Sequence, residues 1–217
     1  MSTRARPGSA LAAPPLRLRW NGPQPAPRLL LAHGAGAGMD SDFMSAVAAG
    51  LGQRGVRVAR FEFAYMARRR SGQRPPPDRA PVLLDRFRAA VRRLGAPDEL
   101  VIGGKSMGGR MASMLADELG VRGVLCLGYP FHPPAKPEQT RTEHLAVLRT
   151  PCLIIQGSRD PFGTREQVAG YALSRKITLA FIEDGNHDLA PRRRHGFDPD
   201  AAREQLLLTA ADFVRCV

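Results

Sequence analysis

The chain has 217 residues, with 32 Lys+Arg against 20 Asp+Glu, a formal net charge of +12. Hydrophobic content of 43% and charged content of 24% exclude wholesale disorder, and no apolar run approaches the roughly 20 residues of a membrane-spanning helix. The three cysteines, Cys126, Cys152 and Cys216, lack CxxC spacing, which excludes a disulfide framework and a zinc site.

Residues 1–15 are small, Pro-rich and unpatterned, and read as a frayed tail before a single domain over 16–217. The opening MSTRARPGSALAA has too short an apolar stretch for a secretory leader, so the expected location is the cytoplasm. Leu16, Leu18 and Trp20 alternate with arginines and predict an edge strand. Arg28 to Ala32 is an apolar run leading into His33-Gly34-Ala35-Gly36, which suits a strand buried on both faces. Phe43, Val47, Ala48 and Leu51 fall at helical spacing behind Asp40 or Ser41 as N-cap. Residues 56–63 read as the next strand. Residues 66–81, basic and Pro-rich, read as a long loop.

Helical spacing returns over 82–94 and stops at Gly95. Leu100 to Gly104 is a strand, followed directly by a helix over 107–119 and a strand over 121–128. Residues 129–150 are irregular, with one short helix near 143–148. Strands over 152–156 and 177–182 flank a helix over 165–173. A closing helix runs from 199 to 217 behind Asp198 as N-cap. Strand and helix therefore alternate, which predicts an α/β doubly wound parallel sheet with helices on both faces. The working site of such a sheet lies beyond the carboxyl ends of its strands.

Gly104-Lys105-Ser106-Met107-Gly108 is a G-x-S-x-G pentapeptide between a strand and a helix. That context holds a serine on a strained turn with its hydroxyl exposed above the sheet, which makes Ser106 the candidate nucleophile. A phosphate loop fits less well, because the GxxxxGK spacing is absent. A serine needs a base to take its proton, and the base needs a carboxylate to orient it. Asp160 follows the strand ending at Gln156, and His187 follows the strand ending at Ile182, so both reach the same rim. Asp184 is read as a turn former and Asp188 as pointing away from His187. His132, His144 and His195 lie in irregular or basic segments and are weaker candidates. Acyl transfer also needs two N–H donors for the oxyanion. Met107 and Ala35 are the expected pair, with Gly36 the second choice for the loop donor and a candidate substrate contact, and His33 is read as tying its loop down.

At these residues the sequence resembles the α/β-hydrolase superfamily, through HGAGAG, GKSMGG, QGSRDPFG and EDGNHDL in that order. LLLAHGAGAGMDSDFM, RFEF and GGKSMGGRMAS resemble a narrower cap-less group related to dienelactone hydrolase. That group includes a testis-expressed protein and a subunit of the non-specific-lethal chromatin complex. The resemblance implies an α/β-hydrolase fold and the triad Ser106, Asp160, His187. Dienelactone hydrolases carry a cysteine nucleophile where Ser106 stands here. The 129–150 segment is too short for a cap, which predicts an open site.

The expected activity is hydrolysis of a small-molecule carboxylic ester or thioester through an acyl-enzyme, with no metal or organic cofactor. The other reading is a hydrolase-fold interaction module without turnover, and the three intact triad positions weigh against it. Arginine runs at 68–70 and 192–194, Arg194 among them, are candidates for the rim, where they would favour anionic substrates. Nucleic acid is not an expected partner, because aromatics are only 6% and do not interleave with the arginines. The residues do not specify an oligomeric state.

Overall fold

The computed structural model describes residues 14–193 and 196–217. The tail expected over 1–15 lies almost wholly outside the described residues, and so does Arg194.

Among the described residues, seven strands form one sheet in the order β1-β3-β2-β4-β5-β6-β7. They are β1 Leu18–Asn21, β2 Arg28–Ala32, β3 Arg57–Phe61, β4 Leu100–Lys105, β5 Gly123–Leu127, β6 Cys152–Gly157 and β7 Ile177–Ile182. Only β1 is antiparallel; it pairs with β3. All other pairings are parallel.

The central strands are apolar at nearly every position because both faces are covered. On β2, Leu30 and Ala32 face one core, while Leu29 and Leu31 face the other. The first core is closed by α3 Ala80–Leu94 and α4 Met107–Leu119 through Leu83, Phe87, Met111 and Leu115. The second is closed by α1 Asp42–Gln53 and α7 Pro199–Cys216 through Met44, Leu51, Leu207 and Val214. Each buried Leu or Phe stabilises the fold by about 1.5–3 kcal/mol over its exposed form. These two layers pack against the strands whose ends carry the site.

Two caps are the ones the sequence predicts: the Ser41 hydroxyl accepts from Met44 N–H, and the Asp198 carboxylate accepts from Asp200 N–H. The loop expected over 66–81 is corrected. Its first part belongs to a helix, α2 Ala64–Arg70, which buries Tyr65 and Met66. No local side chain caps this helix. Asp78 does so from 13 residues downstream, accepting from Tyr65 N–H at 3.0 Å. The 129–150 segment forms no separate layer. It contributes Tyr129, Phe131, Leu145 and Leu148 to the first core and one four-residue helix, α5 Glu143–Ala146. The next helix, α6 Arg165–Ala169, stops at Gly170, short of the expected 173.

Chain direction along the sheet reverses between β2 and β4. The carboxyl ends of these neighbours open a crevice at the topological switch point, where open α/β sheets bind ligands.

Candidate active site

Ser106 occupies the turn between β4 and α4 at φ 49° and ψ −115°. A left-handed φ on a residue with a Cβ is strained and persists only where the surroundings impose it. Here the imposition is steric. The turn packs against β2 so closely that a Cβ on Gly104 would overlap the Ala32 carbonyl oxygen. A Cβ on Gly108 would stand 2.8 Å from the His33 carbonyl oxygen. Glycine at both positions lets the strand, the turn and the helix converge beneath the serine.

His187 Nε2 lies 2.9 Å from Ser106 Oγ. Its Nδ1 lies 2.8 Å from Asp160 Oδ2. Asp160 is fully buried. Its carboxylate also accepts from Gln156 Nε2 at 2.9 Å and from Phe162 N–H at 2.9 Å. With the carboxylate held by two other donors, Nδ1 of the imidazole carries its proton toward Asp160, and Nε2 is the acceptor facing the serine. The Phe162 ring lies 4.3 Å from the imidazole, centroid to centroid, and covers it. The structure thus brings together the three side chains singled out in the sequence.

The loop beyond β2 is fixed from beneath. His33 is fully buried; its Nδ1 contacts Gly34 O at 2.6 Å, and its Nε2 accepts from Phe63 N–H at 3.1 Å. Burial pushes its pKa down, so it holds the loop as a neutral imidazole. The Tyr65 hydroxyl donates to Ala35 O at 2.9 Å, and burial raises its pKa, so it stays a donor. Ala35 and Met107 both border the space above Ser106. Gly36 borders it on the His187 side.

Several residues that hold this arrangement were not singled out from the sequence. Gln156 is fully buried at the end of β6 and joins Asp160 to Tyr129 and Gly163. A glutamine closing the apolar run CLIIQ was a visible signal. Lys105 donates to His187 O at 2.6 Å and pairs with Asp188 at 3.3 Å, so it braces the histidine loop. Tyr65 falls between the strand expected over 56–63 and the loop expected over 66–81, where no element was expected.

The competing residues serve other purposes. Asp184 shapes its turn at φ 54° and pairs with Arg159 and Arg192. Hydrogen bonds from Arg192 hold its carboxyl well below the usual carboxylate range. His144 Nε2 meets the Ser113 hydroxyl at 2.9 Å. No carboxylate among the described residues orients this second Ser–His pair, and Ser113 is buried. Both ring nitrogens of His132 face structural acceptors, Pro133 O and Gln167 Oε1.

The arginine runs are largely committed elsewhere. Arg68 pairs with Asp78, Arg70 with Asp40 and Glu62, and Arg192 with Asp184. Arg69 donates to Pro75 O. Among the described residues no group of three or more His, Cys, Asp or Glu side chains is placed to hold a metal ion. No described helix is long and apolar enough to cross a membrane.

A parallel sheet with a serine elbow at its switch point and a histidine and carboxylate on the following strand ends defines an α/β hydrolase architecture. The chain belongs to the α/β hydrolase domain family, whose model matches residues 25–215. Solved structures agree on the fold. An α/β serine hydrolase homologue from Coxiella burnetii superposes with a TM-score of 0.67 at 18% identity, covering 89% of this chain and 91% of that one. A lidless α/β serine hydrolase from Xanthomonas campestris gives 0.62 at 20% identity, covering 82% of each chain. A dienelactone hydrolase from Anabaena variabilis gives 0.66 at 23% identity, covering 91% of this chain and 89% of that one.

Proposed function

We propose that the chain is a serine hydrolase that cleaves carboxylic esters or thioesters through an acyl-enzyme on Ser106, in a site without a lid. The observation that carries this reading is the continuous chain Ser106–His187–Asp160, at 2.9 and 2.8 Å, built on a strained elbow.

Ser106 Oγ attacks the acyl carbonyl carbon while His187 Nε2 takes its proton. Asp160 holds the imidazole tautomer and stabilises the imidazolium. The N–H groups of Met107 and Ala35 receive the oxyanion; Met107 opens α4, so its amide has no intrahelical acceptor. The imidazolium then protonates the leaving group. Water, activated by the same histidine, releases the acid and restores Ser106.

The description of the Xanthomonas relative as a serine hydrolase without a lid supports the open site. So does the shape of residues 129–150, which send Tyr129, Phe131, Leu145 and Leu148 into the core and carry one four-residue helix instead of a cap. The test is turnover of a 4-nitrophenyl ester by the purified chain. Ser106→Ala and His187→Ala are each expected to lower kcat on the order of ten-thousand-fold or more. Unchanged turnover in Ser106→Ala refutes the reading.

A further inference from the structure

Ser106 borders two depressions that share Ala35, Ser106 and Phe162. The first, about 310 Å³, is lined also by Phe43, Lys105 and His187. The second, about 370 Å³, is lined also by Asp78, Met107, Arg110, Pro130 and Arg141. A general acid must stand within hydrogen-bond reach of the atom it protonates. The leaving group therefore occupies the depression that holds His187, and the acyl group takes the other.

Two arginines line this acyl depression without an acidic partner. Arg110 lies one turn beyond Ser106, its N–H donating to Ser106 O at 3.1 Å, and both residues line this depression. Arg141 is set by its N–H on Phe131 O at 2.8 Å and by the Tyr129 hydroxyl on its own carbonyl at 2.9 Å. Neighbouring arginines are neutralised: Arg68 by Asp78 at 2.7 Å, Arg70 by Glu62 at 2.7 Å and Arg149 by Asp117 at 3.5 Å. Among the described residues no carboxylate comes within 4.0 Å of Arg110 or Arg141. The remaining residues, 1–13 and 194–195, contain no Asp or Glu.

The acid that borders the depression, Asp78, is already committed to Arg68 and to Tyr65 N–H. His144 adds no charge at neutral pH, since burial, and then the nearby Arg110, push its pKa down to about 4. Arg110 Nε is buried with no hydrogen-bond partner. A buried donor left unpaired costs about 1–3 kcal/mol, and more on a charged group. Burial and the charge of Arg110 both push the pKa of Arg141 down. Arg110 Nε itself is closed off, but an anion with two oxygens would accept from the terminal guanidinium N–H groups and relieve the like-charge pair.

We propose that Arg110 and Arg141 form a carboxylate-binding subsite, and that the substrate is an ester or thioester whose acyl group ends in a carboxylate, a half-ester of a dicarboxylic acid. This rests on the reading of Ser106 as nucleophile. The bond from Ser106 Oγ to the acyl carbon forms. The bond from that carbon to the leaving oxygen or sulfur breaks, and the leaving group takes the proton from His187. Water then releases the free dicarboxylate.

The experiment compares two 4-nitrophenyl esters with one leaving group, the neutral valerate and the anionic hydrogen glutarate. The wild type is expected to favour the glutarate in kcat/KM. Arg141→Gln and Arg110→Gln are each expected to lower the glutarate-to-valerate ratio about tenfold or more, the worth of one charged hydrogen-bonding partner. An unchanged ratio in both overturns the subsite but leaves the hydrolase reading intact, provided valerate is turned over. If neither ester is cleaved, the hydrolase reading fails. Glutarate itself is then titrated calorimetrically, and binding that is absent in the wild type, or equal in Arg141→Gln, overturns the subsite as well. Arg141 belongs to no helix or strand, so its variant carries the test if Arg110→Gln does not fold.

Discussion

Replacing Gln156 by alanine is expected to damage stability and turnover together, because this one buried amide ties the acid of the site to the core. Its Oε1 accepts from Tyr129 N–H at 2.7 Å. Its Nε2 donates to Asp160 Oδ2 at 2.9 Å and also approaches the carbonyls of Gly163 at 3.1 Å and Tyr129 at 3.2 Å. Two N–H protons serve these three acceptors, so the effective count is three bonds. The bond to the carboxylate is worth about 2 kcal/mol and each neutral one about 1, giving a loss of about 4 kcal/mol. At about 2–4 °C per kcal/mol for a chain of this size, Tm is expected to fall by about 10 °C. Asp160 keeps Phe162 N–H and His187 but loses the donor that fixes its rotamer. A decline in kcat of about tenfold, with a smaller change in KM, is the expected companion. Differential scanning calorimetry and steady-state ester hydrolysis on the same preparation measure both. A Tm within about 2 °C of wild type, with unchanged kcat, would refute the role assigned to this network.

Asp160→Asn is expected to lower kcat by on the order of 10³–10⁴-fold with the fold intact, since an amide no longer dictates the His187 tautomer; a loss below tenfold contradicts that role. Lys105→Met removes the ammonium that donates to His187 O. It is expected to lower kcat about tenfold, while Tm moves little because the cost of burying the charge disappears with it. Asp184→Asn probes the turn beneath His187. The Asp184 pKa is depressed on folding, chiefly by its hydrogen bonds from Arg192. Its stabilisation is therefore present above the unfolded value of about 4 and lost as pH falls through that window toward the folded value. The Tm gap between wild type and Asp184→Asn should be wide at neutral pH and narrow steadily below about pH 4. A constant gap across that range counts against the ion pairs with Arg159 and Arg192.

Local signals made much of this molecule legible. The elbow helix runs over Met107–Leu119 as its sequence predicts, because Ser106 begins it and Gly120 ends it within a few residues of the pattern. The strand runs at Leu29, Ile102 and Ile154 were readable because both sheet faces are covered, so nothing polar interrupts them. The meeting of Ser106, Asp160 and His187 was legible because each follows a strand end at the same rim.

What escaped depends on contacts distant in sequence. The helix carrying Tyr65 takes its cap from Asp78, so no start signal stands where cap rules look for one. Gln156 stands out at the end of an apolar run, but its partners Tyr129 and Gly163 are 27 and 7 positions away and meet it only in the fold. The arginines also sort by tertiary pairing rather than by clustering. Within the runs that suggest a charged rim, Arg68, Arg70 and Arg192 are paired with Asp40, Glu62, Asp78 and Asp184. The two that line the acyl depression stand 31 positions apart in sequence, at 110 and 141.

The central claim is that Ser106 is a nucleophile activated by His187. Reaction with a fluorophosphonate, followed by intact-mass spectrometry and peptide mapping, tests it most directly. One phosphonyl adduct per chain on Ser106, absent in Ser106→Ala and formed far more slowly in His187→Ala, is the expected result. No adduct on the folded wild-type chain, or an adduct on another residue, would contradict the account.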